Sequence, residues 1–213
     1  MPIIPPLPGN MGGGSFGVRD GNRGKISTLA KTDDSALKRA AMEDIAADPV
    51  LTAVLQTWEA KRGAKFAPHP TEMDAFALPP AVLPRIVLVD VVEGGLRFRF
   101  RLVGSAVALS SGADYTGQYV DEALSGAVRD SVLQHYGTVV RDRRPAYAVA
   151  AYRLPGGETV KNSRLAVPLT LNGDAVDRLL LASRVISDWL LRGDLRNLER
   201  THGHEAVRTF TVL

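Results

Sequence analysis

Arg97-Phe98-Arg99-Phe100-Arg101-Leu102-Val103-Gly104 alternates charged and apolar side chains and then stops at a glycine. A period of two belongs to an extended strand, so the three arginines share one face and Phe98, Phe100 and Leu102 the other. Just upstream, Arg85–Val92 is rich in branched apolar residues and reads as a second strand. Glu93-Gly94-Gly95 between them supplies a tight turn, so the two strands form a hairpin. A lone hairpin is unstable in water and needs further strands to complete it.

Those strands follow downstream. Ala146–Leu154, Thr159–Leu171 and Val176–Ser187 are joined by turns at Pro155-Gly156-Gly157 and Asn172-Gly173-Asp174, which makes them an antiparallel meander. Between hairpin and meander, Gly104 to Leu124 is glycine-rich with short helical turns. A longer helix, Ser125–Arg141, then carries a stripe of Val128, Val132, Tyr136, Val139 and Val140 and ends at Arg143-Arg144-Pro145. The order implies the α+β class, with one five-stranded antiparallel sheet and helices on one face.

An amphipathic N-terminal helix precedes the sheet. Asp48 is a good N-cap and Pro49 suits a first helical turn; Val50, Leu51, Val54, Leu55 and Trp58 follow at helical spacing, and Gly63 supplies the stop. With an apolar stripe to cover, Leu51, Val54, Leu55 and Trp58 are the candidate surface of a homodimer. The division expected is a disordered tail at 1–41, this helix and a proline-rich connector at 42–84, a core at 85–187, and a helical or flexible tail at 188–213. Residues 1–35 are rich in proline and glycine with no apolar period, and Met11 and Met42 offer later starts. The last segment is amphipathic at first (Trp189, Leu190, Leu191, Leu195, Leu198) and then polar around His202-Gly203-His204.

Composition narrows the function classes. The chain has 213 residues, 45% hydrophobic and 23% charged, as ordinary globular domains are. It has no cysteine, which removes disulfides, thiolate metal sites, cysteine nucleophiles and flavin–cysteinyl chemistry. The net charge of +3 lies within residues 1–41, which hold six basic and three acidic side chains, so the remainder is neutral. A nucleic-acid-binding domain would concentrate positive charge on its folded part, so nucleic acid is not an expected partner. No apolar run is long enough to span a bilayer and the N-terminus lacks a secretory pattern, so a cytoplasmic location is expected.

The strand Arg97–Gly104 resembles the "RFRLVG" strand of a PAS-like family of small stand-alone proteins widespread in alphaproteobacteria. Gly112, Asp114, Thr116 and Gly117 resemble that family's "G-x-D-x-T-G" turn. Leu83-Pro84, Arg144-Pro145 and Ala166-Val167-Pro168-Leu169 fit as well, and the similarity runs from about Leu51 to Ser187. The resemblance implies a sensory or protein-interaction module and no reaction. Members of the wider PAS group bind haem, flavin, small acids or nothing, so the resemblance transfers no cofactor.

The candidate pocket residues are Phe98, Phe100, Arg101, Tyr115, Tyr119, His135 and Tyr136, with Tyr147 and Tyr152 as further aromatics. A sheet cupped by short helices offers an apolar cavity with a few polar tips, and Tyr115 and Tyr119 lie where they could gate it. The arginine row is either an anion or partner site, with Arg101 foremost, or a solvated face paired with acids on neighbouring strands. His135 is either a haem ligand or a buried histidine with an ordinary hydrogen bond. His202 and His204 alone do not make a metal site. No nucleophile elbow, phosphate loop or zinc-protease motif is present. The leading function is therefore a sensory module for a small ligand or a signalling protein partner. The alternatives are a structural adaptor without ligand, and an enzyme for a small acidic substrate using Asp90 or Asp114 beside Arg101.

Overall fold

The computed structural model describes residues 34–153, 159–185 and 207–213. In chain order the elements are α1 (Asp34–Ala46), α2 (Pro49–Arg62), β1 (Ile86–Val92), β2 (Arg97–Val103), α3 (Ser105–Ser111), α4 (Val120–Ala123), α5 (Gly126–Asp142), β3 (Ala146–Arg153), β4 (Thr159–Leu169), β5 (Arg178–Val185) and β6 (Val207–Val212). The five expected strands form, every neighbouring pair antiparallel, and β6 joins them, giving the order β2-β1-β5-β4-β3-β6. The hairpin and the meander meet where β1 pairs with β5, Ile86 opposite Ala182 and Asp90 opposite Arg178. The β1–β2 turn uses left-handed backbone at three successive residues, Glu93, Gly94 and Gly95.

Helices cover both faces. On one side α3, α4 and α5 pack on Val87, Val89, Phe98, Phe100, Ala166 and Leu181. On the other, α1 and α2 pack on Ile86, Tyr147, Leu165, Val167 and Leu180. The N-terminal helix is thus not an exposed dimer surface. Leu51, Val54, Leu55 and Trp58 are all buried against the chain's own sheet, and Trp58 Nε1 donates to the Pro168 carbonyl at 2.7 Å. The periodicity identified the stripe correctly; what it faces is this sheet, because β4 and β5 present a second apolar face to be covered.

Three further expectations change. The tail expected at 1–41 overlaps α1, whose Ala41 and Ile45 are buried, because 33–47 contains neither proline nor glycine and Leu37, Ala41 and Ile45 fall four apart. The C-terminal segment supplies strand β6, which pairs with β3 from Ala146–Val212 to Ala151–Val207. The alternation in β2 breaks at Arg101, an extra residue bulged out between Phe100, opposite Val89, and Leu102, opposite Leu88. Leu102 therefore lies with the arginines on the α2 side and Val103 takes the inward place. The remaining tail expectations, at 1–33, the turn Pro155-Gly156-Gly157, the strand end Ile186-Ser187, and Trp189 to His204, lie outside the described residues.

Candidate functional site

A cavity of about 130 Å³ lies between the sheet and the α3–α5 layer. Its floor is built from inward positions of four strands: Val87 on β1, Phe100 and Val103 on β2, Leu181 and Ser183 on β5, Asn162 and Arg164 on β4. Strand registers place them together, since Val87 stands opposite both Val103 and Leu181, and Arg164 opposite Ser183. The roof comes from Val107, Ser110 and Ser111 on α3, Tyr115 beyond it, Leu124, and Val128, Val132 and Tyr136 on α5. The helix spacing 128, 132, 136 keeps one face of α5 over the cavity.

Of the seven candidate pocket residues, Phe100, Tyr115 and Tyr136 line this cavity, and Tyr115 stacks on Phe100 with ring centroids 5.8 Å apart. Phe98 lies deeper in the same layer, edge-on to Tyr136 at 5.4 Å. Tyr119 lies outside, beneath the Arg97 guanidinium at 3.8 Å from the ring centroid. Arg101 lies on the opposite side of the sheet with Arg99, 3.7 Å from Asp90. Tyr147 is on the α1–α2 side, where its hydroxyl donates to Asp44 Oδ2 at 3.2 Å; the Tyr152 side chain lies outside the described residues.

His135 is fully buried, and its Nε2 donates to the Ala146 carbonyl at 2.9 Å. Burial, with the nearby Arg164 charge, lowers its pKa to about 3, so the imidazole is neutral. Burial raises the Tyr136 phenol to about 12. The arginine row is a paired surface. Asp90 receives Arg99 at 3.0 Å and Arg178 at 3.1 Å, and Arg97 spans Asp121 and Glu122 at 2.9 and 2.7 Å. Asp114 accepts from Thr116 N and Oγ1, which hold its carboxyl below the usual range and pin the Gly112–Gly117 turn.

The residue that sequence reasoning missed is Arg164. It follows Lys161-Asn162-Ser163 at the polar start of an otherwise apolar strand, so it reads as a solvent-facing charge; it is instead 8% exposed and lines the cavity. Its parity with Ala166, which packs under α5, was the one signal available.

A PAS domain family model matches residues 47–182, from the N-terminal cap of α2 into β5, and the chain belongs to the PAS domain family. No curated protein matches it. Among solved structures it is similar to one described as a flavin-analogue study of the light-oxygen-voltage domain mechanism, at 15% identity over 55% of this chain and 88% of that one, with a TM-score of 0.37. A likeness that slight carries nothing about ligand or mechanism. His135 gives its Nε2 to a backbone carbonyl and is not set as a haem ligand, and a chain without cysteine cannot form a flavin–cysteinyl bond. No described helix is long and apolar enough to cross a membrane.

Proposed function

We propose that this PAS-domain chain is a sensory module, not an enzyme. It takes a small, mostly apolar molecule into the cavity under α5 and relays occupancy to a signalling protein partner, in the cytoplasm. The observation that carries this reading is the cavity itself: about 130 Å³ enclosed by Phe100, Tyr115, Val132, Tyr136 and Leu181 within a domain whose family is sensory. The enzymatic alternative has little support, since Asp90 is engaged by arginines on the far side of the sheet and Asp114 by its own turn.

A route from cavity to surface supports the sensory reading. Ser183 lines the cavity, and its carbonyl accepts from Arg85 Nε at 3.1 Å. Arg85 pairs with Asp48 Oδ2 at 3.3 Å, and Asp48 Oδ1 caps the first turn of α2 through Val50 N and Leu51 N. Displacement of the β5 floor would thus act on the cap that starts α2. Native mass spectrometry of the purified chain beside a denaturing run tests the reading. An added mass that disappears on denaturation is the expected result. A clean apo mass, with no binding of small apolar probes, would favour the ligand-free adaptor. The same spectrum reads the homodimer, which would have to form through a surface other than the buried stripe of α2.

A further inference from the structure

Arg164 is the one strongly buried cation of the described residues whose charge the chain leaves unanswered. Arg85 and Arg184 share Asp48, Arg99, Arg101 and Arg178 share Asp90, and Arg97 takes Asp121 and Glu122. Arg164 has no such partner. Its Nη2 reaches Ser131 Oγ at 3.4 Å, a long contact, and its Nε is buried with no hydrogen-bond partner. Across the sheet it faces Ser183 on one side and Ala148 on the other, neither of which brings charge. A guanidinium does not shed its proton, so the cost of burial cannot be escaped by neutralisation, and an uncompensated buried charge is among the most expensive groups a fold can hold.

We propose that Arg164 anchors the carboxylate of a small monoanion whose apolar body fills the cavity. This rests on the ligand-binding reading above and adds the chemical class. The volume sets the size: about 130 Å³ is close to the ~150 Å³ of an engineered cavity that admits benzene, so one ring or a short branched chain fits. The lining sets the rest. One cation in a wall that is otherwise apolar but for a few hydroxyls and the Asn162 amide matches one carboxylate on a hydrocarbon, whereas a phosphate carries more charge and calls for more donors than Arg164 offers. A planar guanidinium fork is the geometry that takes a carboxylate bidentately.

The test titrates the full chain, by calorimetry and ligand-observed NMR, with benzoate and isovalerate, with their neutral amides, and with toluene as a purely apolar probe. The expected result is that a carboxylate binds at least about tenfold tighter than its amide, the ratio a charge-assisted hydrogen bond supplies. Arg164→Gln should abolish that preference while toluene binding persists. Arg164→Lys, which keeps the charge but not the fork, should retain only part of it. Toluene binding without carboxylate preference would overturn the anchor and leave the cavity reading standing. Refusal of toluene and carboxylates alike would overturn both. The carboxylate-to-amide comparison on the unsubstituted chain stands even if a variant fails to fold.

Discussion

At Gly104 a side chain would have nowhere to go. A Cβ there would stand 2.5 Å from the Pro84 carbonyl oxygen and 2.8 Å from that of Ile86, both backbone atoms, and the Gly104 N–H itself bonds to Ile86 O at 2.8 Å. Gly104→Ala should therefore cost about 1–3 kcal/mol, the range for forced overpacking, as read by urea denaturation. His135 makes a different kind of prediction. The folded chain keeps its imidazole neutral down to about pH 3, whereas the unfolded chain protonates near 6.5. Between those values the unfolded state holds the extra proton, so stability falls as pH falls, by up to about 1.4 kcal/mol per pH unit. His135→Asn, which cannot titrate, should flatten that slope in denaturation curves between pH 6 and 4, even if its stability at pH 7 is lower. Legibility at this scale was uneven. Phe100 and Tyr136 could be placed from periodicity, because period fixes which residues share a face. Arg164 could not, because a charged residue at the start of a strand reads as solvated until a helix is known to lie across it. Nor could the inward place of Val103, which depends on a one-residue bulge that changes register without changing composition.

Helix α2 was legible to the residue as an element: Asp48 caps it, Pro49 opens it and Gly63 follows it. Its direction was not, since an apolar stripe says that something is covered and not what. Because the stripe is internal, Leu55→Asp buries a charge in the core and should unfold the chain; size-exclusion and circular dichroism would then show loss of structure instead of a folded, dissociated monomer. Trp58→Phe is the finer probe. Pro168 lies on β4 beyond the end of its pairing with β3 at Ala166, and its carbonyl is taken by the Trp58 indole. Removing that donor leaves a buried acceptor unmet, for an expected loss of about 1–3 kcal/mol by equilibrium unfolding, beyond the change in packing. The five core strands and α5 were readable because turn chemistry and period agreed at each; α1 and β6 were hidden by polar or tail-like neighbours that lowered the local signal.

Across the whole molecule, the sheet is a partition between two cores, one under α5 that contains the cavity and one under α2 that contains Leu51, Val54, Leu55, Trp58 and Tyr147. Deleting residues 1–46 should strip Ala41 and Ile45 from the second core and cost about 2–4 kcal/mol, given ~1.5–3 kcal/mol for a fully buried isoleucine; thermal unfolding with a dye for exposed apolar surface would read it. The cavity should survive, since no residue of α1 lines it. The strand order carries a consequence of another kind. β3 lies inside the sheet only because β6, from the far end of the chain, pairs along it, so during synthesis on the ribosome its outer edge stays bare after the first five strands exist. At about 5–20 residues per second the stretch from β5 to the end of β6 takes on the order of seconds to emerge. For that interval the nascent chain presents an open strand to whatever else is being made nearby, and a neighbouring copy translated from the same message is the best-matched sequence within reach.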